Sequence, residues 1–490
     1  MNRLINRAGI LLICSFMLVA CKPKVASIDV LDICPNIYPD YVDVTVPATI
    51  APLNFNVIAN CQYLSVKIIG SRIGKIEFES KGNLVDIPET KWKKLLYENK
   101  GGSLSVALSV IDKKQKKTVY KPFTIYISTY PIDYGIVYRH IAPGYTVYSK
   151  MGIYERKLSS YKQNVVFENT QIPRSCVNCH SFNQGNPASF SMHIRGENGG
   201  TVLRTENGLE ILDTKNENTL SAGVYPYWHP SGKYIAYSTN ATEQLFYPVS
   251  DKRVEVYDKA SDIYIYSIET NKLLSSPLLR TESFETFPTF SPDGRTLFFC
   301  SAERKNMPFE YKKLKYSLCS INFNPNDGSF GNKIDTLFSA YLSNKSVAFP
   351  RPSFDGKYLM FTLSDYGCFP VWHKEADLWL LDLYNKSVRE LIEVNSKDSE
   401  SFHCWSSNSR WFLFTSRRRG GLYTCVYISA IDEKGHVSKP FMLPQKNPLE
   451  YYDRLLYSYN VPEFITGPIN LNSNEMEEKV LSNRKKKVRF

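Results

Sequence analysis

The run Phe287-Pro288-Thr289-Phe290-Ser291-Pro292-Asp293-Gly294-Arg295-Thr296-Leu297-Phe298-Phe299-Cys300-Ser301 decides the fold of this chain. A short apolar segment, a tight turn with Gly294 where positive φ is needed, and a second, wholly apolar segment spell two strands joined by a hairpin. The pattern returns as Tyr225-Pro226-Tyr227-Trp228-His229-Pro230-Ser231-Gly232-Lys233-Tyr234-Ile235-Ala236-Tyr237-Ser238, and again over 349–362 with Ser353-Phe354-Asp355-Gly356 at its turn. A degenerate copy over 403–416 has Asn408-Ser409 in place of the glycine. Each copy is followed, after a loop of variable length, by a third strand: 262–268, 316–321, 377–383 and 424–428. Self-similarity of this kind marks an architecture of repeated small sheets.

The S-P-D-G turn, the apolar strand after it and the third strand of the form (I/L)-(Y/W)-x-(L/I/M)-D resemble the repeats of TolB-like, WD-type β-propellers, over about 223–443. The resemblance implies architecture and leaves activity open. The turns are spaced more widely than a bare blade of roughly 40–50 residues needs. The surplus falls in loops at one point of the repeat (303–315, 364–375 and 416–421), so these loops crowd onto one face as a surface rich in Arg, Lys, Tyr and Trp, suited to a protein partner. A weaker unit at 189–203 precedes the four clear ones. A sixth arises if the 455–459 strand pairs with 134–140. The expected fold is therefore all-β: a propeller of six blades over 188–466, preceded by another domain.

That other domain spans 41–130, where runs such as Leu104-Ser105-Val106-Ala107-Leu108-Ser109-Val110 alternate with period two between polar turns, as in a small immunoglobulin-like β-sandwich. A helical turn is expected at 90–96. Residues 131–187 read as a connector and 467–490 as a solvated basic tail, Arg484-Lys485-Lys486-Lys487-Val488-Arg489 carrying much of its charge. The chain has 490 residues, a formal charge of +12, 13% aromatic residues and 33 Tyr, a composition that leans towards β structure.

Residues 1–20 read as a secretion signal, with Arg3 and Arg7 ahead of an apolar run too short to anchor in a bilayer. The run ends Leu18-Val19-Ala20-Cys21, which resembles the lipobox of bacterial lipoproteins. By that resemblance Cys21 is acylated and 21–40 is a tether from the membrane. Lys22 after it favours an outer-membrane lipoprotein facing the periplasm of a Gram-negative envelope. An exported lipoprotein rarely meets nucleic acid, so none is expected as a partner despite the positive charge.

The chemistry centres on Cys176-Val177-Asn178-Cys179-His180, a C-x-x-C-H run. Two thiols at this spacing add to the vinyl groups on one edge of a porphyrin, and the adjacent imidazole becomes the proximal iron ligand. One covalent haem c is the expected cofactor. On the 189–196 strand Phe190, Met192 and Ile194 share one side and read as core, while Ser191, His193 and Arg195 share the other. His193 is thus the preferred distal ligand, with Arg195 near a propionate and with Met192 and His140 as alternatives; an open sixth position would allow ligand binding or peroxide chemistry. The competing uses of the motif are a thiol–disulfide pair, which lacks a thioredoxin-like surround, and zinc, which lacks an obvious fourth ligand. His229 and His403 read as structural. Cys34 and Cys61 are candidates for a disulfide, and Cys300, Cys319, Cys404 and Cys425 for buried thiols.

Propeller lipoproteins with an embedded haem motif, which the whole chain resembles, imply no activity. No G-x-S-x-G, H-E-x-x-H or phosphate-loop pattern is present. The expected function is electron transfer or ligand sensing by an anchored monohaem protein, more a carrier than an enzyme. The second expectation is a non-enzymatic scaffold whose C-x-x-C-H is structural only. A third is an enzyme with its site in the central channel, such as a haem peroxidase (haem-dependent if redox) or a carbohydrate-active lyase, with no residues singled out by the sequence.

Overall fold

The computed structural model describes residues 25–144, 150–248 and 252–490; the signal segment and Cys21 lie outside them. The chain is predominantly β. The N-terminal part carries a seven-stranded sheet in which Ser103–Ile111 is central, and a three-stranded sheet of Ile37–Tyr38, Phe55–Val57 and Leu84–Val85. Alternation along Ser103–Ile111 turns Leu104, Val106, Leu108 and Val110 inward. The helix Glu89–Glu98 buries Trp92, Leu95 and Leu96 in the same core. The expected tether is partly a strand: Ser27–Val30 pairs in parallel with Lys116–Val119 at the sheet edge. Cys34 and Cys61 are both free thiols, the Cys61 Sγ turned to the carbonyls of Tyr63 and Gly82, so the disulfide expectation does not hold.

The rest of the chain is a β-propeller. Its antiparallel units follow in order: 190–213 led by Ser175–Phe182, 234–274 led by Val224–Trp228, 296–338 led by Phe284–Phe290, 358–390 led by Ser346–Pro352, and 411–442 led by Glu400–Trp405. A further unit joins Gly135–Ile141, Gly152–Lys157 and Gln163–Glu168 to Ser458–Ile465 from the far end of the chain. The leading strands, Ser458–Ile465 included, pack one on the next around the centre and return to the first. The terminal strand therefore pairs with 135–141 as expected, although it runs later than 455–459. Residues 131–187 are not a connector: they hold three strands of one unit and the leading strand of the next. Of these, 134–140 is legible as a strand, whereas Gly152–Lys157, Gln163–Glu168 and Ser175–Phe182 escape recognition because no glycine hairpin marks them.

Side chains staple adjacent units. Trp228 Nε1 donates to Ser181 O at 3.1 Å, Trp405 Nε1 to Arg351 O at 3.0 Å, and the His403 Nε2 lies 3.0 Å from Met360 O. His229 lies 3.0 Å from Gly294 O through Nε2 and 2.7 Å from Ser231 Oγ through Nδ1. Gly294 has φ of 72°, and a Cβ there would overlap the His229 ring. Gly356 has φ of 70° with open space around it. Gly294→Ala is accordingly expected to destabilise by about 2–3 kcal/mol, against about 1 for Gly356→Ala, because only the first adds a steric clash to the left-handed strain. Denaturant midpoints of the two variants measure the difference.

The 467–490 segment is docked rather than solvated. Asn472 caps the helix Ser473–Leu481, which buries Met476 and Val480 at the i, i+4 spacing, and Lys486–Lys487 adds in parallel to Gly208–Asp213. Val488 is buried, and the Leu273 N–H donates to Arg489 O at 2.7 Å, so the tail bridges two neighbouring units.

Candidate functional site

Every leading strand carries one non-glycine residue in the left-handed region: Cys179 (φ 36°), Tyr225 (50°), Phe287 (52°), Phe349 (55°), Phe402 (42°) and Val461 (44°). Each sits at a register shift, a β-bulge that breaks the ordinary alternation. The equivalent bulges form a ring around the centre. Ring centroids lie 4.4 Å apart for Tyr225–Phe287, 4.7 Å for Phe287–Phe349 and 4.7 Å for Phe349–Phe402. The next residue is Pro226, Pro288, Pro350 or Pro462 in four strands, and His180 or His403 in the other two. The C-x-x-C-H run is therefore one edition of the repeat's own bulge.

The bulge explains how two cysteines three apart come to one side. In a regular strand Cys176 and Cys179 would point to opposite faces. The shift between Asn178 and His180 resets the alternation, and both thiols line a single cavity of about 1060 Å³, at the upper end of ligand-site sizes. All ring residues, His180, His193 and Arg195 line it too. Cys176 and Cys179 are half-buried and unpaired.

The histidines divide by place. His180 is 3% exposed, and neither ring nitrogen has a hydrogen-bond partner. Burial, with the Arg139 charge adding, pushes its pKa down to about 3, so the imidazole is neutral. His193 holds Thr201 Oγ1 at 2.9 Å through Nδ1. In the tautomer in which Nδ1–H donates to the Thr201 hydroxyl, Nε2 keeps its lone pair, the arrangement that second-shell partners impose on ligating histidines. Burial and then the Arg195 charge push its pKa down to about 4. Met192, with Phe190 and Ile194, is packed in the core and does not line the cavity. His140 also lies off the cavity, among Tyr138, Tyr154, Tyr457 and Tyr459. Of the four side chains expected around an iron, the structure brings His180 and His193 to one cavity and leaves Met192 and His140 outside it.

Several lining residues escape a reading of the sequence. Arg139 reaches Val177 O, Asn178 Oδ1 and Asn460 Oδ1. The Arg417 guanidinium stacks 3.3 Å from the Trp372 ring centre and donates to Val371 O at 2.7 Å; burial pushes its pKa down to about 9. Arg351 stands over the Tyr227 ring. The aromatic-Pro dipeptides at the start of three repeats, aligned with Cys179-His180, were the available signal for the ring; the arginines had none. Trp372 and Arg417 come from two of the long loops between second and third strands, 364–375 and 416–421, which reach the cavity, whereas no residue of the 303–315 loop lines it.

His403 occupies the place of His180 one unit short of the closing strand. Burial, then the Arg351 charge, pushes its pKa down to about 3. Since the unfolded chain binds the proton at about 6.5 and the folded one only near 3, this group makes stability rise with pH across that window and lose it on acidification. His403→Gln can still donate to Met360 O without titrating. Its stability-versus-pH curve is expected to be shallower than wild type by up to about 1.4 kcal/mol per pH unit between those values, measured by urea denaturation at a series of pH values.

No family model matches the chain. Over 172 residues it is 30% identical to dipeptidyl-peptidase 5 of Porphyromonas gingivalis, a stretch that is 34% of this chain and 20% of that protein. The chain thus covers a fifth of that relative's length. Similar solved structures contain propellers. An oligogalacturonate lyase in complex with manganese has a TM-score of 0.34 and 13% identity over 62% of this chain and 72% of its own. A β-propeller domain from Myceliophteria thermophila has 0.31 and 10% over 52% and 65%. A prolyl endopeptidase has 0.33 and 11% over 71% and 50%. At these scores the likeness carries no argument about activity.

Proposed function

We propose that the protein is a TolB-like, six-bladed propeller lipoprotein that carries one covalent haem c in its central cavity, anchored through Cys21 to the periplasmic face of the outer membrane. The blade count rests on the six leading strands, the anchor on the Leu18–Cys21 run, and the N-terminal domain is taken as immunoglobulin-like. One observation carries the cofactor: Cys176, Cys179, a buried His180 without hydrogen-bond partners, and a His193 tethered at Nδ1 all border the same cavity.

The residues present fit the group. Cys176 and Cys179 would hold the porphyrin edge, His180 and His193 the iron, and Arg195 at the mouth a propionate. Among the described residues no three His, Cys, Asp or Glu side chains converge on one point. Zinc needs such convergence, whereas haem takes its thioethers and its axial imidazole at separate places. Bound there, the haem would supply one-electron chemistry or a ligand site. The protein's own contribution is positional. Thr201 holds the His193 ring, Phe287, Phe349 and Phe402 exclude water, and the outer, exposed side of the long loops is left for a protein partner. The activity is that of a carrier or sensor.

A pyridine haemochrome spectrum of protein from cells with the maturation machinery is the test. One haem per chain, with the haem mass on the 176–180 peptide, is the expected result, and its absence defeats the reading. The second reading, a scaffold without cofactor, is favoured by the equivalence of His180 to the structural His403; it predicts an unmodified peptide and a colourless protein.

A further inference from the structure

Arg139 is 8% exposed, and every group it touches is neutral. Its Nη1 donates to Val177 O at 3.1 Å and to Asn178 Oδ1, its Nη2 to Asn460 Oδ1 at 2.9 Å, and its Nε is buried without a partner. Among the described residues no carboxylate pairs with it. The side chain of Arg195, exposed at the cavity mouth, likewise makes no ion pair or hydrogen bond among the described residues. A guanidinium taken out of water without a counter-charge is strongly unfavourable, and a second cation beside it makes matters worse. What this corner of the cavity lacks is an anion. Much of the remaining wall is apolar and aromatic, with Phe287, Phe349, Phe402, Trp372 and Val254 among its residues, although Asn240, Thr242, Arg351 and Arg417 also line it, and the Glu243 carboxylate there is already held by Tyr257 and Lys259.

We infer that Arg139 and Arg195 form a carboxylate-binding site, for a ligand that joins a large apolar body to at least one carboxylate. Arg139 is a binding residue, and through Val177 and Asn178 it also ties the middle of the C-x-x-C-H run to the closing strand. Guanidinium and carboxylate match in a paired, planar geometry that an ester or alcohol cannot reproduce. Such a carboxylate has two sources: a haem propionate, in which case the inference rests on the haem reading, or a free hydrophobic carboxylate, in which case it stands without it.

The test uses the full chain as the Cys176→Ser, Cys179→Ser variant, which cannot attach haem. Binding of protoporphyrin IX is compared with its dimethyl ester, and 1-pyrenebutyrate with 1-pyrenebutanol, by the anisotropy of the probes. At least one acid is expected to bind tenfold or more tightly than its neutral counterpart, and Arg139→Gln or Arg195→Gln to remove that preference. Exposed Arg195 gives a readable variant even if Arg139→Gln folds poorly, and Arg139→Lys is expected to restore part of the preference. Preference confined to the porphyrin acid assigns the propionate. Preference for pyrenebutyrate, in a protein whose native form shows no haemochrome, keeps the carboxylate site and removes the haem. Equal binding of acids and neutral partners, no binding by any probe, or a preference that survives both arginine variants overturns the inference.

Discussion

A chain ended after Tyr457 is expected not to fold. The missing Ser458–Ile465 strand supplies the pairing partner of 135–141 and one position in the central ring. Burial of Tyr459, Phe464 and Ile465 alone contributes about 5–8 kcal/mol, and the buried Glu463 carboxyl that accepts from the Phe182 N–H goes with them. That loss is comparable with the whole net stability of a domain, about 5–15 kcal/mol. A chain ended after Gly467 keeps the strand and loses only the docked tail. Met476, Val480 and Val488 are then uncovered, but the entropy of ordering the segment is recovered, so the net cost is about 2–4 kcal/mol. A solvated tail would cost under about 0.5 kcal/mol. Circular dichroism of the first truncation and the urea midpoint of the second decide both; a soluble, cooperatively unfolding 1–457 chain would contradict the ring closure.

If haem is attached as proposed, replacing both thiols, Cys176→Ser with Cys179→Ser, is expected to remove it, a loss of roughly 100-fold or more in haemochrome absorbance per chain, while the fold persists. The thiols are half-buried on a cavity wall and bridge nothing, so serine meets no packing penalty there. Single variants should retain a fraction through one thioether. His193→Ala separates the axial position from attachment: the covalent haem should remain, and the reduced protein should newly bind carbon monoxide, since Thr201 would be left with no imidazole to orient. Carbon monoxide binding by the unaltered protein would instead mean that His193 does not close the iron.

The repeats at 225–238, 287–301, 349–362 and 403–416 were legible because a glycine turn between apolar strands is a local signal. Polar and apolar faces of 190–196 were legible for the same reason: alternation alone puts Met192 in the core and His193 on the cavity side. What stayed hidden depends on distance along the chain. Gly152–Lys157 and Gln163–Glu168 join a unit whose closing strand, Ser458–Ile465, comes from the far end of the chain, and Met476 and Val480 look like scattered apolar residues in a basic tail until the surface they cover exists. Arg139 gave no sign, since an arginine in a strand is ordinarily exposed. The bulge at Cys179 was invisible because C-x-x-C-H reads as a motif in its own right, not as the counterpart of Phe402-His403.

On the proposed haem reading, that correspondence makes the attachment sequence portable within the molecule. Ser399 stands to Phe402 as Cys176 stands to Cys179, and His403 already follows. Two exchanges, Ser399→Cys and Phe402→Cys, would write the same five-residue run into another arm of the pinwheel, with the backbone kink it requires in place beforehand. On that reading, a modular scaffold of this kind would gain or lose a prosthetic group by side-chain change alone, leaving its chain trace untouched.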